Sequence, residues 1–445
     1  MRKLILIVCA IFISSNISAQ TDTCGTLIPD NVLVEYAQSG DLSLYKRTTI
    51  TPPLRLAIHI VRYSNGSGGI SQAELDQKVA GLNSDFQQAF FEFYVYKIDY
   101  IDNDNFASIT DMEEANSLRE INHINGCINV YFVPFLASLE GLSSFSPRIQ
   151  EPVLIQTQGI LVQNNASLTT LPHEMGHYFD LFHTHETLFN VENIARTGGC
   201  SNWSYSGDLL KDTPADFGGR VSFSYINNNC QYDPKKPPPP DGCGSTNYAP
   251  LTNNMMITEL KICRTTFTEQ QKDRMNETLL LHRSELLLQN LVLLKNDIEN
   301  NNAGGALHLE ATDYNSGEYV PVDDGVYTIG TDNERFVNYL GSGANYKHIN
   351  WNLTSSDKFL SRSVSITSDD NQIAHFKELE HSKVELILEG QTFLDKGLGQ
   401  FQDPWYVLSN ASQPGNYWIS FISSYEPTGK ESAAAKGVFL NQGTD

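Results

Sequence analysis

Residues 171–183 read LPHEMGHYFDLFH, and they carry three histidines at the spacing of a metal site. If residues 166–181 form a helix, His173 and His177 lie four positions apart, and their imidazoles project from one face about one turn apart. Glu174 is one step around that helix, so it can reach a metal-bound water and act as a general base. This stretch therefore predicts two zinc ligands and a base on one helix.

The third ligand is expected just after the helix. His183 supplies it if the helix stops near Asp180 and the chain turns back, which leaves the fourth tetrahedral position of a catalytic zinc open to water and substrate. His185 is a rival for the same role. In a second class of zinc peptidases the third ligand is a glutamate from a later helix. Glu186 and Glu192 follow the motif too closely to come from a separate packed helix.

The longer pattern H-E-x-x-H-x-x-G-x-x-H, with a methionine turn downstream, defines the metzincins. This sequence matches every metal position of the pattern and has Asp180 where the pattern has glycine. The residue that ends such a helix takes a left-handed conformation, which Asp tolerates better than most side chains. We interpret Asp180 as a tolerated substitution, at a cost of roughly 1 kcal/mol.

Length and composition predict a globular protein of two or more domains. The chain has 445 residues, of which 40% are hydrophobic and only 18% are charged. Its formal net charge of -22 gives no electrostatic footprint for nucleic acids or anionic membranes, because those partners require clustered Lys and Arg. We therefore expect no nucleic-acid partner.

Residues 1–19 have the features of a secretory signal peptide cleaved before Gln20: a basic start, a short apolar run and small residues at the end. Stable membrane insertion is not expected, because the apolar run is too short to span a bilayer. The sequence thus predicts a secreted protein. Six cysteines remain after the signal, and four of them bracket the loop-rich segment between the zinc motif and the methionine turn.

The expected organisation after the signal has three parts. Residues 20–53 form a pro-segment or N-terminal arm, residues 54–295 a catalytic domain, and residues 306–445 an accessory domain, with a polar linker over 296–305. Expected elements of the catalytic domain are strands at 54–63, 90–98, 128–135 and 153–162, a helix from Ser71 to about Phe86, and a closing helix from Thr268 to about Leu293.

This order predicts an α/β (α+β) catalytic domain with a twisted mixed sheet and an active-site helix. The accessory domain shows short alternating segments without a catalytic constellation, which predicts an all-β, sandwich-like fold.

The stretch from about Leu54 to Met275 resembles the pappalysin family, the M43 metzincin endopeptidases. The zinc motif, the G-D-x-x-x-D-T-P pattern at 207–214, the Asn253-x-Met255 pair and the pattern that begins at Cys263 carry the resemblance. It implies a secreted zinc-dependent endopeptidase that hydrolyses peptide bonds in proteins by metal-activated water.

The resemblance also implies roles for individual residues. Met255 would form the methionine turn, an apolar floor under the zinc ligands. The implied disulfides are Cys200 with Cys243 and Cys230 with Cys263. Family members also bind calcium near the active site, and the candidate ligands here are Asp208 and Asp212.

Two questions stay open at the level of the sequence. The segment from Cys24 to Thr26 resembles the short N-terminal segment with which some pappalysins hold themselves latent, the thiolate taking the open zinc position. A disulfide between Cys24 and Cys127 is the alternative. The second question is activity, since a catalytically inactive, secreted binding or adhesion protein that acts through its β domain is the alternative function. The intact Glu174 and histidines favour the enzyme.

Overall fold

A computed structural model of the protein describes most of the chain up to residue 378 and two short strands beyond it. The described residues are 24, 26, 41–47, 49, 52–147, 158–218, 225–234, 236–258, 260–299, 301–339, 342–354, 357–378, 416–421 and 438–443. The predicted signal peptide lies outside them, as does most of the predicted N-terminal arm.

The chain divides into two compact units, the first of which comprises residues 1–294, 318–327 and 364–371. Seven strands come first along its chain: β1 (Leu54–Arg62), β2 (Phe93–Asp102), β3 (Ser108–Ile109), β4 (Ile128–Val133), β5 (Phe135–Leu136), β6 (Gly141–Ser143) and β7 (Ile160–Gln163). Five of them form a sheet in the order β2-β1-β4-β7-β6. All neighbours in it are parallel except β6, which is antiparallel to β7 and lies at the edge. The predicted mixed sheet is therefore confirmed.

Four α-helices accompany the described strands: α1 (Gln72–Phe86), α2 (Met112–Glu120), α3 (Thr170–Tyr178) and α4 (Glu269–His282). The helices α1 and α4 begin where the sequence predicts, because Ser71 and Thr268 each form a capping box. Both faces of the sheet are covered, which explains why its central strands are apolar runs without alternation. None of the described helices has the length and apolarity needed to cross a membrane.

Alternate side chains of β1 and β4 pack into different cores. Leu56 and Val130 face the core that α1, α3 and α4 cover, whereas Val61 and Tyr131 face the core that contains α2. This layering places α3, which carries the histidine motif, directly against one face of the sheet beside the edge strand β6.

Two predicted helix boundaries are wrong. The motif helix was expected over 166–181, but it spans only Thr170–Tyr178, because turns precede it and Phe179 leaves helical geometry. The closing helix ends at His282 instead of about Leu293. Arg283 interrupts it with a φ of -141°, and its buried guanidinium donates a hydrogen bond to the Tyr178 carbonyl.

Strand β8 (Asn290–Ile298) follows, so the segment expected to finish the helix and begin a linker is extended instead. Its first half pairs antiparallel with β12 (Glu318–Val322), within the first unit. The apolar residues 291, 292 and 294 are buried through strand pairing, a tertiary contact that helical periodicity does not reveal.

The second unit comprises residues 295–317, 328–363 and 372–445, and its described part is rich in β-structure. The remaining strands along the chain are β9 (Asn301–Asn302), β10 (Ala306–Leu309), β11 (Thr312–Asn315), β13 (Gly325–Thr331), β14 (Glu334–Tyr339), β15 (Ser342–Trp351), β16 (Ser361–Ile366), β17 (Asp370–Glu378), β18 (Asn416–Phe421) and β19 (Val438–Gly443). Antiparallel pairs such as β10 with β11 and β14 with β15 confirm the expected β-rich C-terminal region. The sandwich arrangement and the exact domain boundaries stay predictions.

Candidate metal centre

Three imidazoles and one thiol converge beside the sheet. The ligand atoms of Cys24, His173, His177 and His183 all lie within 4.8 Å of one another. Nε2 of His183 is 3.3 Å from Nε2 of His173 and 3.1 Å from Nε2 of His177. The two histidines of α3 face the same side, as their spacing predicts, and the chain after the helix returns to bring His183 opposite them.

Backbone carbonyl groups fix the orientation of the first two rings. Nδ1 of His173 donates a hydrogen bond to the Met255 carbonyl over 2.8 Å, and Nδ1 of His177 donates to the Leu181 carbonyl over 2.7 Å. A carbonyl oxygen can only accept, so the proton of each neutral ring is on Nδ1 and the lone pair is on Nε2. Two lone pairs therefore converge where a cation can bind, and the donor set fits a divalent transition metal.

The surroundings keep these rings neutral. Burial lowers the pKa of His177 to about 3, and it lowers the pKa values of His173 and His183 well below their usual range. The nearby guanidinium of Arg264 lowers all three in the same direction. Neutral imidazole is the form that ligates a metal, so the site is prepared for one.

Glu174 is buried beside these rings, with its carboxylate next to the edge strand β6. The hydroxyl of Thr26 donates a hydrogen bond to Oε2 of Glu174 over 2.7 Å, and that hydroxyl accepts one from the Ser143 N–H over 2.7 Å. Gly141 makes room for the carboxylate, because a Cβ at this position would lie 2.5 Å from Cγ and Oε1 of Glu174. The motif thus brings a carboxylate to the ligand cluster.

The methionine segment supports the helix in two ways. Met255 is fully buried in the core, and its carbonyl is the acceptor that orients His173. Met256 lies directly under α3, where a Cβ on Gly176 would meet its sulfur at 2.5 Å. The resemblance implied an apolar floor at Met255, whereas the contact of its carbonyl with His173 and the position of Met256 are visible only in the structure.

His185 lies beside the cluster without belonging to it. Its ring stacks on that of His183, with the centroids 5.2 Å apart and the planes at 6°. The ligand atoms that converge are those of His183 and the two motif histidines. The position after α3 also has the predicted left-handed geometry, since Asp180 has a φ of 65°.

The long segment after the motif is held by disulfides Cys200–Cys243 and Cys230–Cys263, the pairing that the resemblance implied. The alternative prediction of a disulfide between Cys24 and Cys127 is wrong, because neither cysteine forms a disulfide. Cys127 is buried, which raises its pKa to about 12, whereas Sγ of Cys24 lies 3.4 Å from Nε2 of His177.

The two candidate calcium ligands lie in different environments. Asp208 is buried, and burial together with the nearby Glu192 raises its pKa well above the usual range. Asp212 is exposed, and its carboxylate accepts a hydrogen bond from the Gln270 N–H in the first turn of α4. The sequence did not predict that Glu192 lies near Asp208 or that Thr26 contacts Glu174, because only the fold brings these residues together.

The chain is similar in sequence to a known family and to several curated proteins. The family model Peptidase M43, described as Pregnancy-associated plasma protein-A, matches residues 156–280. An extracellular metalloprotease of Arthroderma gypseum is 30% identical over 45% of this chain and 69% of its own length. An extracellular metalloprotease of Arthroderma benhamiae is 24% identical over 60% of this chain and 93% of its own length. The solved structure titled "Mirolysin in complex with compound 9" is 20% identical, covering 52% of this chain and 92% of that one, with a TM-score of 0.38.

The stacked pair of histidines offers a test of the ligand set. We expect the purified protein to bind one equivalent of a divalent transition metal, His183→Ala to lose it, and His185→Ala to retain it, because only His183 of this pair brings a ring nitrogen to the cluster. Metal content is measured by elemental analysis after dialysis. Equal loss of metal in both variants would mean that the assigned ligand set is wrong.

Proposed function

Because this chain belongs to the M43 (pappalysin) family of metalloproteases, we propose that it is a secreted zinc endopeptidase. In this proposal His173, His177 and His183 hold the zinc, and Glu174 is the general base. The observation that carries it is the convergence of three imidazole nitrogens next to the buried carboxylate of Glu174. Nε2 of His183 lies 3.3 Å from Nε2 of His173 and 3.1 Å from Nε2 of His177. Three neutral imidazoles suit zinc and leave a fourth position for a water.

The protein residues divide the chemistry among them. When bound, zinc lowers the pKa of its water and polarises a carbonyl oxygen. Glu174 acts first as a general base, which accepts the proton of the attacking water. It then acts as a general acid, which delivers a proton to the leaving amine. The carbonyl groups of Met255 and Leu181 keep the lone pairs of two ligands aimed at the metal throughout.

The proposed substrate is a peptide in an extended conformation. Strand β6 is the edge of the sheet in the described part of the chain and lies against α3, so an extended chain can pair with it beside Glu174. Cys24 already forms a parallel bridge with Gly141, and the Ser143 N–H donates to Thr26. A protein chain that occupies this edge would bring its peptide bonds past the histidine cluster.

Replacing the base tests the mechanism. In the protein freed of its N-terminal segment, we expect Glu174→Gln to lower the rate of casein cleavage about 10²- to 10⁴-fold, because it removes proton transfer while it preserves shape. Glu186→Gln, on the loop after the metal ligands, is the matched control and should cleave at the parental rate. Metal content should be unchanged in both variants, and 1,10-phenanthroline should stop cleavage by the parent. A fully metal-loaded Glu174→Gln variant with parental activity would refute the assignment.

Secretion is part of the same proposal. Its support is the signal-like sequence at 1–19, the two disulfides of the long segment after the motif, and the extracellular designation of the relatives. Disulfides form and persist in oxidising compartments, so the cysteine pairs are consistent with export.

We further propose that the segment around Cys24 keeps the enzyme latent through two contacts. The thiol is near His177 Nε2, at the side of the cluster where a fourth ligand would bind. The Thr26 hydroxyl donates a hydrogen bond to the carboxylate of Glu174, so the same segment also covers the proposed base. A thiol contact responds to metals and thiol reagents, whereas a hydroxyl contact does not.

Variants at both positions separate the two contacts. In the full-length protein, we expect Cys24→Ser to raise basal cleavage and Cys24→Ser with Thr26→Val to raise it further, by about tenfold to a hundredfold, since a hydrogen bond to a charged group contributes roughly 1.5–3 kcal/mol. Thr26→Ser is the control, because it keeps the hydroxyl and should keep latency. Removal of the N-terminal segment should bring all variants to one rate. If the double variant is as inactive as the parent before this removal, latency has another origin.

Calcium binding is proposed at Asp208 with Glu192, in place of the sequence-based pair that included Asp212. Oδ2 of Asp208 and Oε2 of Glu192 are buried and accept no hydrogen bond among the described residues, although Arg196 pairs with the other oxygen of Glu192. Two buried carboxylates that repel one another fit a hard divalent cation with oxygen ligands. The proposal does not use Asp212, which is exposed and accepts a hydrogen bond from the Gln270 N–H.

Thermal unfolding tests the calcium proposal. Adding CaCl2 should raise the Tm of the parent and of Asp212→Asn, because a ligand that binds only the folded state adds about 2.7 kcal/mol at a hundredfold excess over its Kd. Asp208→Asn should show no such shift, and MgCl2 serves as the ionic-strength control. A calcium-induced shift of parental size in Asp208→Asn would rule out this site.

A further inference from the structure

The turn that ends α3 contains a buried aspartate in a conformation that favours glycine. The Leu181 N–H donates to the Gly176 carbonyl and the Asp180 N–H to the His177 carbonyl, which is the Schellman pattern with Asp180 in the left-handed position at a φ of 65°. Glycine takes this position without steric cost. Asp180 is only 1% exposed, so a carboxylate at this position is favourable only if it makes contacts that glycine cannot make.

The carboxylate of Asp180 makes three such contacts. Oδ1 accepts a hydrogen bond from the Ser146 N–H over 2.8 Å, and Oδ2 accepts one from the Ser146 hydroxyl over 2.6 Å. Oδ2 also accepts a longer one of 3.1 Å from the hydroxyl of Thr278 on α4. The two bonds to Ser146 hold its backbone and its side chain at once, so they fix the chain just after the edge strand β6.

This fixed chain carries a ring that touches a proposed metal ligand. Phe145 precedes Ser146, and its ring packs edge-on against His177 with the centroids 5.6 Å apart and the planes at 73°. The same ring contacts Phe182 on the other side of the turn at 5.3 Å. The clamp on Ser146 therefore holds an aromatic wall against the imidazole of His177.

Asp180 acts on His177 by a second route as well. Its left-handed backbone directs the next carbonyl, that of Leu181, at Nδ1 of His177 over 2.7 Å. One residue thus supplies the turn that orients the ring and the carboxylate that holds the wall beside it. Glycine would supply only the turn.

We propose that Asp180 is a positioning residue for the metal ligand His177. This inference rests on the proposed function, in which His177 binds zinc. The contact with Thr278 ties the turn to α4 and serves stability alone, whereas the contacts with Ser146 act on the ligand through Phe145. The two kinds of contact can be separated by mutation.

The test compares variants of the full-length protein by zinc release to a chelator and by the visible spectrum after cobalt substitution. Asp180→Gly should release zinc about tenfold to a hundredfold faster, because the loss of a group that orients a metal ligand typically lowers metal affinity by this factor. Its cobalt bands should also change in intensity. Asp180→Asn should stay close to the parent, because an amide can accept from the Ser146 N–H and donate to the Ser146 hydroxyl.

Two further variants keep the test decisive if Asp180→Gly folds poorly. Phe145→Leu removes the aromatic wall and should speed zinc release in the same sense, while Thr278→Val should lower the Tm with parental zinc release and cobalt bands. The inference is overturned if Asp180→Gly or Phe145→Leu loses stability yet keeps the parental release rate and spectrum. Failure of the parent itself to bind zinc would instead overturn the proposed function.

Discussion

The convergence of three imidazole nitrogens on one point is the constraint on which the rest of the site depends. Backbone carbonyl groups fix two of the three rings from behind and direct their lone pairs to that point, where a cation can bind. One carbonyl belongs to Met255, more than eighty residues from His173, and the other to Leu181 in the turn after α3. The helix, the turn and the methionine segment must therefore be in place together before the cluster can hold a metal.

The edge strand β6 connects the histidine cluster to the N-terminal segment that contacts this strand. Gly141 lacks a side chain where Glu174 approaches, and Ser143 offers an N–H to the segment that now lies there. Substrate and N-terminal segment are proposed to compete for one strand edge and one carboxylate. That arrangement would let a single cleavage in the arm expose both the metal and the base.

The sequence alone could predict features that depend on near neighbours along the chain. The four-residue spacing of His173 and His177, the capping box at Ser71 and the helix cap at Thr268 are local patterns with a direct physical cause, and the structure contains all of them. Helix ends were predicted less well. The closing helix stops at Arg283, whose guanidinium is drawn to the Tyr178 carbonyl by the fold.

Only the tertiary structure decided the contacts between residues that are distant in sequence. Thr26 reaches Glu174 across 148 positions, and Asp180, interpreted from sequence as a tolerated substitution, clamps Ser146 from 34 positions away. Neither contact has a periodicity or a local motif, because each forms only when the sheet brings two loops together. The sequence by itself determined the spacing of three histidines and a carboxylate that a metal site requires. The fold decided which groups orient it and which group covers its carboxylate.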